Sequence, residues 1–172
     1  MNETNHQLAR EFIKSACFRM DESLRMIRLS FGHLSEEELW KRPGKASNSP
    51  ANLILHLQGN IRQYAISSLA GLPDLRERDK EFSSSGGPGK KRLLQGLEDT
   101  IRQAQEQISA CGPDELLKVR EVQGFRLSGI GIILHVVEHL SYHTGQIAFW
   151  TKLLKEKDLG FYEGKDLNVK NK

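Results

Sequence analysis

The sequence predicts an all-α protein built as a four-helix bundle, and three observations carry that prediction. Four long segments repeat apolar residues at steps of three and four. Polar breaks marked by glycine or proline separate them, and no convincing set of strands lies between them. At 172 residues the chain is long enough for one well-buried core, so residues 1–172 are read as a single domain.

The first segment runs from about Asn5 to Leu29, with Leu8, Phe12, Ala16, Met20, Leu24 and Ile27 as its apolar stripe and Gly32 closing it. Ser35 then opens a short turn in which Glu38, three residues on, completes a capping box; Pro43 and Gly44 end it. Ser49 followed by Pro50 starts the second helix, an N-cap residue before a proline whose missing N–H is no loss at the first helical position. That helix continues to about Ala70 and stops at Gly71 and Pro73. After DLRERDKEF and SSSGGPG, which read as a loop within the domain, a third helix spans about Lys90 to Ala110 on Leu93, Leu94, Leu97, Ile101, Ala104 and Ile108. Val119–Leu127 reads as a short extended or irregular link. Ser128 caps the fourth helix, which reaches about Glu156.

Composition removes several function classes. A net charge of +3, with basic residues scattered along the chain, does not support nucleic-acid binding. No apolar run approaches the roughly 18 residues that span a bilayer, and MNETNHQLAREFIK lacks the apolar centre of a signal peptide. The two cysteines, Cys17 and Cys111, have no CxxC spacing, which argues against cysteine zinc sites and disulfide frameworks and fits a cytoplasmic protein. The C-terminal KDLNVKNK reads as a solvated tail.

Chemistry concentrates in LHVVEHLSYHTGQIAFW, residues 134–150, within the fourth helix. His135, His139 and His143 follow one another at steps of four, and a step of four sets two imidazoles on one helix face about 6 Å apart along the axis. The outer two are about 12 Å apart and do not share one ion. The core-facing seam Ile132, Val136, His139, His143, Gln146, Trp150 and Leu153 selects His139 and His143 as the pair, with His135 to one side. On the second helix His56 lies between Asn52 and Asn60, a polar strip on an otherwise apolar surface that offers a third ligand. Three protein ligands and an open position make a catalytic rather than a structural zinc site. The competing reading is a set of hydrogen-bonded histidines, which is also the reading for His6 and His33.

HVVEHLSYHTGQI resembles the C-terminal helix motif of the DinB/YfiT-like superfamily, and LWKRP, SNSPANLILHLQGN and PDLRERDKEF follow the order of one branch of it. The resemblance covers roughly Leu8 to Tyr162. It implies a four-helix bundle of the DinB/YfiT-like type with a long crossover connection, a homodimer, and a divalent metal, zinc or nickel, on His56, His139 and His143. Some relatives are S-transferases that use low-molecular-weight thiols.

The open position would take a water or a thiol. Glu138, the carboxylate nearest in sequence, lies about 100° round the helix from His139, which weakens a hydrolase reading. Asn60 and Gln146 are the candidates to orient substrate or steady the ligands, and Tyr142 offers a hydroxyl. Arg76, Arg78, Asp79 and Glu81 read as a solvated loop held by ion pairs rather than the mouth of a site. Trp40 and Trp150 read as core or interface residues, with Trp150 placed to line a pocket floor. Two functions follow: a metal-dependent thiol transferase or small-molecule hydrolase, and a non-catalytic helical dimer.

Overall fold

The computed structural model describes residues 3–171, and four long helices dominate among them. In chain order the elements are α1 (Glu3–His33), α2 (Glu36–Trp40) and α3 (Pro50–Ile61), which a π-helical stretch (Arg62–Ser67) and α4 (Ser68–Ala70) prolong. Next come α5 (Arg78–Ser83), α6 (Lys90–Ser109) and α7 (Pro113–Leu117), then strands β1 (Val119–Val122) and β2 (Phe125–Ser128), and finally α8 (Gly129–Lys155).

Around the bundle α1 neighbours α8 and α6, and α3 neighbours the same two. Side-chain pairs give the directions. Gln105 reaches Asp21 and Glu98 pairs with Arg28, so α1 and α6 are antiparallel. Gln58 bonds the Leu93 carbonyl and Arg62 bonds Gln103, so α3 and α6 run parallel. His56 meets His139 while Asn60 meets His135, so α3 and α8 are antiparallel. Two consecutive parallel helices require a chain segment that returns the length of the bundle, and residues 71–89 are that crossover. It leaves α4 at Gly71, whose φ of +67° closes the helix in the left-handed conformation, and enters α6 at Gly89.

The apolar stripes meet inside. Ile27, Phe31, Ile54, Leu57, Ile61, Leu97, Ile108, Val136 and Leu140 are fully buried. All three predicted N-terminal caps form: Ser35 and Glu38 make a capping box, Ser49 caps α3 in a second box with Asn52, and Ser128 accepts from the Gly131 N–H at the start of α8.

Four sequence expectations need correction. Leu8 is exposed, because the buried face of the first turns of α1 runs through Ala9, Ile13 and Ala16 and Leu8 points away from it. Gly32 lies inside α1, which continues to His33; no neighbour forces a turn there. Val119–Ser128 is an antiparallel hairpin whose Gln123–Gly124 turn has positive φ at both positions, as a two-residue loop requires. Four-residue strands and glutamine in place of asparagine or aspartate hide that signal. The seam on α8 also drifts: Ile132 and Val136 are buried, but Gln146 and Leu153 face outward. A seam of period 3.5 slips by about 20° per heptad on a straight helix. The stripe that stays inside, Ile133, Val136, Leu140, Thr144, Ile147 and Thr151, has the period of the helix itself.

Gly129, the first residue of α8, sits where a Cβ would collide with the Glu115 carbonyl and, at 2.9 Å, with Leu116 Cα. Gly129→Ala should therefore lower stability by about 1–3 kcal/mol through overpacking against backbone. Gly145→Ala, in open space on the same helix, should raise it by about 0.5–1 kcal/mol through helix propensity. Urea unfolding of the two variants tests the contrast, and equal effects would remove the close-approach argument.

Candidate metal centre

α3 and α8 bring His56, His139 and His143 together. One ring nitrogen from each lies within 4.8 Å of the other two. His56 and His143 are buried and His139 is partly so. His56 Nε2 lies 2.8 Å from His139 Nε2, and the His143 ring centroid is 5.0 Å from that of His56 and 4.5 Å from that of His139.

In His143 and His56 the outward-facing nitrogen is tied down. His143 Nδ1–H donates to Gln146 Oε1 at 2.7 Å, which leaves Nε2 as the lone-pair nitrogen. His56 Nδ1 faces Glu81 Oε2 at 2.9 Å, and donation to that carboxylate again frees Nε2. Arg76 forks onto the same carboxylate, Nε to Oε1 at 2.8 Å and a terminal nitrogen to Oε2 at 2.9 Å, while its other arm bonds Gln63. Both members of the ion pair are nearly solvent-free.

Here the solvated-loop reading of Arg76 and Glu81 fails. Arg78 and Asp79 are indeed exposed, with Arg78 over the Phe82 ring, but Arg76 and Glu81 turn inward onto His56. The crossover passes α3 on its return, and α3 holds it: Asn52 Nδ2 donates to the carbonyls of Glu81 and Ser84 at 3.0 and 2.8 Å. Gly59 leaves the room, since a Cβ there would occupy the Glu81 carboxylate and lie 3.0 Å from Arg76 Nε. Glu81 is thus a site residue that sequence reasoning missed. The signal lay in the length of residues 71–89, enough to run back past His56.

Asn60 contacts His135 rather than a member of the trio, Nδ2 to Nε2 at 3.2 Å, and its Oδ1 is buried without a partner. His135 stacks on Tyr64 from the π-helical stretch, with centroids 4.0 Å apart, and Tyr64 in turn donates to Gln123 of the hairpin turn. Gln146 also donates to the exposed Tyr142 hydroxyl at 3.2 Å. Glu138 is exposed on α8, Trp40 lies against the crossover at Gly87, and Trp150 lines a cleft beside Gln146.

Burial pushes the His139 imidazole down to about 3, helped by repulsion from His143, His56, His135 and Arg76. Burial also lowers His143, against an opposing hydrogen bond to Gln146. Burial raises the Glu81 carboxyl, but hydrogen bonds and charge from Arg76 and His56 outweigh it and hold the group below the usual carboxylate range. A buried ionised carboxylate and neutral imidazoles suit a cation better than a proton.

Two comparisons now bear on the chain. Residues 7–162 match the family model described as "Protein of unknown function (DUF1572)". The chain belongs to this family. Its fold is DinB-like: a DinB-like protein from Bacillus cereus ATCC 10987 superposes with a TM-score of 0.66 at 16% identity over 84% of this chain and 91% of that one. A DinB-like protein from Bacillus subtilis gives 0.64 at 13% identity, over 88% and 96%. No curated protein matches. The predicted bundle is therefore the fold of the family, and its three-histidine group is compatible with a metal site.

Glu81→Gln, which keeps the size and removes the charge, should weaken zinc binding about 10–100-fold, as loss of an outer partner of a ligating histidine does; competition titration against a chelator measures it, and unchanged affinity would separate Glu81 from the site. The metal-free protein should also lose stability with acid. His139 has a folded value near 3, below its ordinary 6.5, so between those pH values the unfolded chain binds the extra proton and is favoured. Urea midpoints should fall from pH 7 to pH 5, and less steeply in His139→Gln. Parallel slopes would contradict the buried, neutral ring.

Proposed function

We propose that this protein is a divalent-metal-dependent enzyme in which His56, His139 and His143 hold the ion, zinc or nickel, for transfer of a low-molecular-weight thiol to a small organic molecule. The donor set carries this reading: three imidazoles converge and, among the described residues, no fourth His, Cys, Asp or Glu joins them. Three protein donors leave a coordination position for water or substrate, which is what separates catalytic from structural sites.

A bound ion would lower the pKa of a thiol or water at that position. The surrounding residues favour the thiol. A hydrolase would be helped by a carboxylate within reach of the water as general base. Glu81 sits on the Nδ1 side of His56 with both oxygens engaged by Arg76 and His56, and Glu138 is exposed elsewhere on α8. Thiol transfer makes less demand on such a base, because a divalent ion would itself release the thiol proton to solvent. Gln146 steadies His143 and faces the neighbouring cleft, where it can orient a substrate. Asn60 acts one step back, positioning His135 beside His139. A homodimer in the cytoplasm completes the reading, supported by the resemblance to DinB/YfiT-like proteins and by two free cysteines.

Elemental analysis of the purified, untagged protein is the test. Near-stoichiometric zinc or nickel is expected in the parent, essentially none in His56→Ala and His139→Ala, and nearly parental content in His135→Ala. Equal loss in all three would overturn the ligand assignment. A parent that stays metal-free and refuses added zinc and nickel would overturn the enzyme reading.

A further inference from the structure

A cleft of about 330 Å³ opens between α8, in its C-terminal half, and a wall made by residues 43–48 and the start of α3. That is the size of a small-molecule site. Its inner end is Leu53, three residues before His56, and Ile147, four residues after His143, both buried. It therefore begins about one helical turn from the histidine trio. Phe149 and Leu153, 70% and 58% exposed, stand at its outer rim beside Trp150. Gln146 links cleft and trio, since the same side chain lines one and accepts from His143 in the other.

The chemistry of the walls is selective. None of the lining residues is ionisable, and Asn48 and Gln146 provide amide donors and acceptors. The Trp150 nitrogen is buried without a partner, so this residue gives the cleft ring surface rather than a donor. A charged ligand would lose hydration here and gain no counter-charge. A flat apolar ligand would gain aromatic surface from Phe149 and Trp150 on the α8 wall and apolar contact with Pro43, Pro50 and Leu53 opposite, and would cover side chains that otherwise face water.

We propose that the cleft binds an uncharged, planar organic compound of one or two rings, carrying an amide- or carbonyl-like group for Asn48 and Gln146. That this compound is the substrate rests on the metal-dependent reading above; that the cleft binds it does not.

The chain has two tryptophans, and Trp40 is not in the cleft. Their two indole N–H signals in a nitrogen–proton NMR spectrum, assigned with Trp150→Phe, therefore report on the cleft and on a control position. Zinc-loaded and chelator-treated protein would each be titrated with 2-naphthamide and with 2-naphthoate, which share a shape and differ in charge. The expected result is a saturable shift of the Trp150 signal alone, with the amide binding about tenfold or more tightly than the acid. Phe149→Ala should weaken the amide about tenfold with metal content unchanged. No saturable shift at Trp150, or equal binding of the acid, would overturn the proposal. So would sedimentation showing that Phe149→Ala turns a dimer into a monomer, because the cleft would then be an interface between copies. Binding of the amide by a protein that takes up no metal would support the cleft while overturning its substrate role. Metal uptake without a Trp150 shift would overturn the cleft and leave the metal reading standing.

Discussion

The buried pair of Arg76 and Glu81 against His56 is the contact on which the candidate centre depends. Taking two charges out of water costs several kcal/mol per ion, and only full hydrogen bonding offsets it. That condition is met here. The carboxylate receives two bonds from the guanidinium and one from the imidazole, and the remaining arm of the guanidinium reaches Gln63. Three consequences follow from one set of bonds. The crossover is fixed to α3, the His56 ring is oriented, and its Nε2 is left free toward His139. Loss of either charged partner would leave the other buried and unpaired, a defect that costs about 3–5 kcal/mol in comparable pairs.

Bundle topology explains why that pair is available. Parallel α3 and α6 oblige residues 71–89 to travel back along α3, and the route passes the midpoint at which His56 faces α8. Asn52 joins the two roles. It completes the N-terminal box of α3 with Ser49 and, through its amide nitrogen, holds the backbone of the crossover at Glu81 and Ser84. Stability and site geometry therefore share residues, so a change at Gly59 or Asn52 would be felt at the histidines without touching them.

What the sequence reveals and hides follows from the range of each interaction. A step of four on one helix is a local fact, so His139 and His143 are readable as a pair, and Asn52, His56 and Asn60 as a polar strip. The caps at Ser35 and Ser49 are local as well. Glu81 is different: RERDKEF has the composition of a solvated loop, and only the return path of the chain turns two of its charges inward. The π-helical stretch that presents Tyr64 to His135 is equally hidden, since its residues carry the same apolar spacing as an α-helix. The seam on α8 misleads for a geometric reason, because a heptad stripe slips steadily round a straight helix and has left the core by Gln146, about four turns after Ile132. That slip is what turns Gln146 and Leu153 out of the core and into the cleft.

Charge balance bears on the chemistry. Arg76 and Glu81 cancel each other, so the trio offers a divalent ion three ring nitrogens and no negative charge. A bare double charge in a largely buried site is costly, and the burial that lowers His139 and His143 would act on it too. The compensating charge then has to arrive with the fourth ligand. An anionic oxygen or sulfur supplies it, and a thiolate supplies it with the least demand on a general base that the surrounding residues do not provide. The electrostatics of the outer residues and, among the described residues, the lack of a free carboxylate at the trio thus support the proposed thiol transfer for separate physical reasons.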